Sequence, residues 1–167
     1  MDPAAGDQAR IRLVYSLMFS LPGTPTLFYG EELGMRENLD IPGRRSARSP
    51  MQWSSSEPHA GFSTAPEGAR LCRPLPEDTS ANVTDQRRDP SSLLNWMERL
   101  IRQRKECPEF GWGELSLLHA KGPVLAHRCD WDGSTVVAVH NLGDNDCAPD
   151  EEIKLDPYGY RWLRPRH

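Results

Sequence analysis

Residues 20–35, SLPGTPTLFYGEELGM, carry the feature that most limits what this chain can fold into. The run Thr24 to Tyr29 is apolar at neighbouring positions, with Leu27 beside Phe28. It predicts a strand that needs cover on both faces, as in a parallel sheet flanked by helices. A helical pattern precedes it after a short turn, and a long polar stretch follows it. Helix, tight turn, buried strand and long loop is the rhythm of an α/β barrel or a doubly wound sheet.

The preceding helix is predicted over 9–20. Ile11, Val14, Leu17 and Met18 recur at helical spacing, with Leu13 and Leu21 widening the stripe. Asp7 is the expected N-cap, and Leu21-Pro22-Gly23 the stop. Residues 36–88 read mostly as loop, rich in proline and glycine but holding Met51, Trp53 and Phe62 as large anchors. Asp89-Pro90 is expected to open a second helix whose apolar face is Leu93, Leu94, Trp96, Met97, Leu100 and Ile101. Its last turns carry Arg99, Arg102, Arg104 and Lys105, where the helix dipole favours cations. From 111 onward the pattern shortens to strands at 114–119, 123–129, 134–141, 151–155 and 158–163, with Asp132-Gly133 as a hairpin turn. These make a small antiparallel β module.

Composition narrows the function. A net charge of −4 argues against nucleic acid, since phosphate binding needs a basic surface. No apolar run approaches 18 residues, so no membrane span is expected. The four cysteines, Cys72, Cys107, Cys129 and Cys147, include no C-x-x-C pair, and no zinc or other metal site is expected. His59, His119, His127 and His140 show no metal-ligand spacing and read as packed or solvated side chains. No secretory signal is recognisable, so a soluble, reduced, cytoplasmic chain is expected, and Asn82-Val83-Thr84, which matches a glycosylation acceptor, is not expected to serve as one. The opening residues pass straight into a helix with no strand before it, as in a chain entered in mid-domain.

The stretch LPGTPTLFYGEELGM, followed by ARSPMQWS and AGFS, resembles the α-amylase family of glycoside hydrolases. Gly23, Pro25, Tyr29 and Glu32 match the G-x-P-x-x-x-Y-x-x-E pattern of that family's eighth barrel strand. The segment NVTDQRRDPSSLLNWMERLIRQRKECPEFGWGE resembles the last barrel helix and exit of the trehalose synthase and oligo-1,6-glucosidase branch. Pro157 to Arg164 is similar to a closing strand of the same branch.

The resemblance implies the C-terminal segment of a (β/α)8 TIM barrel over 1–110 and a small antiparallel β-sandwich domain over 111–167. A whole barrel takes roughly 250 residues. The family's catalytic carboxylates belong to motifs such as G-x-R-x-D and F-x-x-x-H-D, which this sequence does not contain. No catalytic residue is therefore assigned here. Glu31 and Glu32 are adjacent, whereas a retaining pair stands about 5 to 5.5 Å apart and comes from different strands. Tyr29 and Glu32 are expected to brace the rim loop, with Glu31 an exposed neighbour. Arg48 matches the arginine that the branch sets near the second sugar, with Ser49 where the branch has threonine. Its fixed fork suits sugar hydroxyls and a carboxylate together. Arg44 and Arg45 depart from the branch's spacing and receive no role.

Trp53 and Phe62 are expected to hold the loop down, and Trp131, Tyr158, Tyr160 and Trp162 to fill the β module. The implied substrate of the whole enzyme is an α-linked glucose disaccharide or oligosaccharide, and no cofactor is implied. The implied chemistry is interconversion of maltose and trehalose by double displacement, with the chain alone inactive. Hydrolysis of short oligosaccharides is the alternative within the family. A non-catalytic carbohydrate-binding or assembly module is the alternative outside it.

Overall fold

The computed structural model describes residues 3–38, 41–66, 68–71, 73–75, 78–149 and 152–165. The chain divides into two compact units, one of Met1–Pro25 with Leu100–His167, the other of Thr26–Arg99.

The first unit is built on a four-stranded antiparallel sheet in the order β1-β2-β3-β4, with β1 Glu114–Leu118, β2 Val124–Trp131, β3 Ser134–Asn141 and β4 Tyr160–Leu163. Alternation sets its two faces. Cys129, Val136 and Ala138 join Cys107 and Phe110 on one side, with Leu115 and Trp162 packed against them. Ala126 and Val139 meet Leu155 on the other, beside Val124, Val137, Cys147, Ile153 and Leu163. The β2–β3 turn is Asp132-Gly133, with φ of 49° and 74°, so both central residues are left-handed as a tight hairpin requires. Of the strand expected over 151–155, residue 151 lies outside the described residues, and Leu155 forms only a bridge to Cys147.

Among the described residues there is one sheet, and helices pack against it. The short helix α4, Glu109–Trp112, lies on β2 and β3, and α1, Pro3–Ser20, lies on β3. α1 begins before Asp7, which falls inside the helix and does not cap it. Its buried face also differs from the expected stripe. Leu13, Ser16, Phe19 and Ser20 are buried, whereas Ile11 and Val14 are exposed, Val14 by 60%. Part of the reason is polar: the Ser16 hydroxyl meets His140 and the Ser20 carbonyl meets His127, while Ser20 Oγ bonds back to Leu17 O, so apolar periodicity alone misplaced the inward face. Arg104 gathers the end of α1, donating to the carbonyls of Phe19 at 2.5 Å and Gly23 at 2.9 Å.

The second unit holds most of the long loop. It contains 3-10 turns at Glu31–Leu33, Gly43–Arg45 and Pro58–Gly61, the short helix α2, Val83–Arg88, and the first turns of α3, Leu93–Lys105. The polar sequence of α2 carries no apolar period, which hid it within the expected loop. Asn82 caps it: its Oδ1 accepts from Asp85 N at 3.0 Å and its Nδ2 donates to Asp85 Oδ2 at 2.7 Å. Asn82 is fully buried, which removes it as a glycosylation acceptor. α3 starts at Leu93, later than the expected opening at Asp89-Pro90. Ser92 Oγ accepts from Asn95 N, while Asp89 closes the preceding turn by accepting from Ser91 N.

The segment expected as a strand, 24–29, pairs with no strand among the described residues. A parallel strand takes its hydrogen bonds and its cover from neighbours. Without them here, Phe28 and Tyr29 stand exposed, their rings 4.5 Å apart.

Candidate functional site

Tyr29, Glu31, Glu32 and Arg48 all belong to the second unit. Gly30, at φ 90°, turns the chain out of the apolar segment. A Cβ there would lie 2.7 Å from Met35 Sδ, so glycine is required by both conformation and space. The turn folds both acids back on their own backbone. Glu32 Oε2 accepts from Gly30 N at 2.8 Å, and Glu31 Oε2 accepts from Phe28 N at 3.3 Å. Each carboxylate is thus engaged by the main chain of its own turn. Leu33 is buried, and its carbonyl accepts from Gln86 Nε2 at 2.7 Å.

Arg48 sits on the loop that follows the Gly43–Arg45 turn, its N–H donating to Arg45 O at 3.1 Å. It is exposed, and its guanidinium has no hydrogen-bond partner among the described residues. The next residue fixes the loop: Tyr29 Oη donates to the Ser49 carbonyl at 2.9 Å. Further support comes from Asn38 N to Ser46 O at 3.0 Å and from Ser46 Oγ to Glu37 Oε2 at 3.1 Å. Ser49 and Gln52 are buried, and Ser49 Oγ and Gln52 Oε1 find no partner among the described residues.

Trp53 and Phe62, expected to hold the loop down, are each 47% exposed. Main-chain bonds tie the same loop. Trp53 N and Ser54 N donate to Ala60 O, while Val83 N and Thr84 N donate to the carbonyls of Gln52 and Trp53. Gln86 is the residue sequence reading missed here. Its side chain bonds Leu33 O and Leu94 N, and its carbonyl takes Ser92 Oγ and Asn95 Nδ2. A lone glutamine in a polar stretch gives no pattern that announces this. Among the described residues no group of three His, Cys, Asp or Glu could hold a metal ion, and no helix is long and apolar enough to cross a membrane.

The description "Alpha amylase, catalytic domain" matches residues 3–113, more than half of the chain. This chain belongs to the α-amylase family. It is 38% identical over 143 residues to the trehalose synthase of Thermus thermophilus, covering 82% of this chain and 15% of that protein. It is 39% identical over 145 residues to the trehalose synthase/amylase TreS of Mycobacterium tuberculosis (strain CDC 1551 / Oshkosh), covering 81% of this chain and 24% of that one. The chain thus spans less than a quarter of the length of either relative. Among solved structures it is similar to the α-glucosyl transfer enzyme XgtA, with a TM-score of 0.77, 25% identity, and coverage of 95% of this chain and 36% of that one. The α-amylase-family match therefore takes in α1, both glutamates, Arg48 and α4, and stops just before β1.

Proposed function

We propose that this chain forms the rim loop and C-terminal β module of an α-amylase-family enzyme that interconverts maltose and trehalose by transferring a glucosyl group within the bound sugar. The observation that carries the reading is the identity of 38% and 39% to proteins named trehalose synthase, over more than four fifths of this chain. The nucleophile and acid of such a reaction are supplied from outside this sequence, and the chain alone is inactive. In this reading Arg48 meets the second sugar of an α-linked glucose disaccharide. Its exposure and its lack of a partner leave all its donors available for sugar hydroxyls. Tyr29 and Glu32 shape the rim, one by holding the Ser49 carbonyl and the other by closing the Gly30 turn. The four strands form one sheet of a β-sandwich domain. The compartment is the cytoplasm, which suits the buried, unpaired thiols of Cys107 and Cys129.

A chimera tests this. Residues 3–163 replace the matching segment of the Thermus thermophilus trehalose synthase, and maltose is supplied. The expected product is trehalose. A folded chimera that releases only glucose would make the reading a hydrolase, and one with no turnover at all would leave the chain a non-catalytic module.

A further inference from the structure

We propose that His127 and His140 form an acid-sensitive latch that holds helix α1 against the sheet, and that proton uptake there loosens α1. Both histidines are fully buried, on adjacent strands and the same face. Their rings are stacked, with centroids 5.8 Å apart and planes 7° from parallel. Each reaches α1 through Nε2. His127 lies 2.9 Å from the Ser20 carbonyl, and His140 lies 2.9 Å from Ser16 Oγ, which also accepts from Trp162 Nε1 at 3.1 Å. Ser16 and Ser20 both lie on the buried face of α1, outside its expected apolar stripe.

The geometry fixes where a proton can go. A carbonyl only accepts, so His127 Nε2 carries its hydrogen and donates to Ser20. Any further proton on His127 must sit on Nδ1, which is buried with no partner among the described residues. His140 Nδ1 is likewise buried without a well-formed hydrogen bond, and the Ser16 and Leu125 main chains near the ring offset its burial only in part. The groups facing the pair are Ser16 and the Ser20 carbonyl from α1, the Leu125 main chain from β2, Tyr160 and Trp162 from β4, and Phe110 from α4. Half-buried Arg12 lies one turn before Ser16 on α1. Cys129 follows His127 on the same face of β2, and Arg104 lies over the outer neighbour Phe110. No carboxylate is among these neighbours to stabilise an imidazolium. Burial, then the charge of its neighbour His127, pushes His140 down from 6.5 to about 4, and burial also lowers His127.

Because the folded values lie below the unfolded ones, the latch is intact above about pH 6.5 and is lost as pH falls toward about 4. α1 lies within the catalytic-domain match, and the strands that hold it lie beyond residue 113. Acid would therefore loosen a catalytic-domain helix from the β module. Arg104, bonded to the Phe19 and Gly23 carbonyls, stays charged across this range and keeps the end of α1 tethered.

The test is amide hydrogen exchange on the full chain between pH 7.5 and 4, expressed as protection factors that remove the intrinsic pH effect. Protection over 8–20 should fall, by up to about tenfold per pH unit for each proton taken up, while the β2–β3 hairpin keeps its protection. His127→Gln and His140→Gln, whose amides can still reach α1, should each flatten that fall. If either variant fails to fold, ring NMR titration of the unmodified chain decides, with both rings staying neutral until α1 protection drops. Constant α1 protection down to pH 4, ring titration near pH 6.5 with α1 still protected, or folded glutamine variants with an unchanged pH profile would each overturn the latch.

Discussion

Arg164, near the end of the chain, binds the buried carboxylate of Glu109 with both arms of its guanidinium. Nη1 donates to Oε1 at 2.5 Å and Nη2 to Oε2 at 3.2 Å, while Glu109 is only 1% exposed. Ser134 Oγ adds a third bond to Oε1 at 2.6 Å, and Arg164 Nη2 also reaches Glu106 O. The segment after β4, α4 and the start of β3 are thereby joined at one point.

Arg164→Ala should destabilise the first unit by about 1 to 2 kcal/mol, because it strands a buried acceptor. The loss is smaller than for a fully buried pair, since the Arg164 side chain is 47% exposed and water screens it. Urea unfolding followed at the β2–β3 amides checks it, and an unchanged midpoint would mean that water replaces Arg164 without loss.

The same contact predicts a pH effect. Burial pushes the Glu109 carboxyl upward, but hydrogen bonds from Ser134 and Arg164 together outweigh it and leave it below its ordinary 4.5. A depressed carboxylate contributes stability above about pH 4.5 that is lost as pH falls through the folded value. Glu109→Gln should therefore remove a slope below pH 4.5 and leave the histidine slope, which begins near pH 6.5, in place. Unfolding midpoints measured from pH 3 to 7 separate the two.

Gly30→Ala should cost the second unit about 1 to 3 kcal/mol, since a side chain at positive φ is strained and here meets Met35 Sδ. Faster exchange at Val83–Arg88, which the unit holds through Gln86 and Leu33, would report it. Wild-type exchange in the alanine variant would show that Met35 gives way.

Much of the first unit was legible in the sequence because its signals are local. Alternation over 124–139 sets two faces, and Asp132-Gly133 demands a tight hairpin. Less was legible where side chains bond main chain over long distances. Gln86 and Asn82 organise the loop without any period to reveal them, and Ser16, bonded to His140, lies on a buried face of α1 that the apolar stripe does not mark. The strand expected over 24–29 failed for a different reason: its pattern reports the neighbours it was built to meet, and none pairs with it among the described residues. The family was legible from the residues of the Gly23–Glu32 pattern and the loop around Arg48, and the catalytic-domain match agrees. What each of those residues does is not written in the pattern.

Arg48→Ala, made in the chimera with the Thermus thermophilus enzyme, should lower kcat/KM on maltose about 10- to 100-fold, the loss of one or two hydrogen bonds from a charged donor. An aryl glucoside lacks the second sugar and should be affected far less. Equal losses on the two substrates would assign Arg48 to the loop's structure.

The central claim is that this chain contributes rim and β module to an α-glucoside enzyme while Glu31 and Glu32 do no catalysis. The most direct measurement is an NMR assay of the purified chain alone with maltose, trehalose, sucrose and p-nitrophenyl glucoside. No turnover is expected, because both carboxylates are folded back onto Gly30 N and Phe28 N. Turnover that survives purification and disappears in Glu31→Gln or Glu32→Gln would contradict the claim and make the pair catalytic.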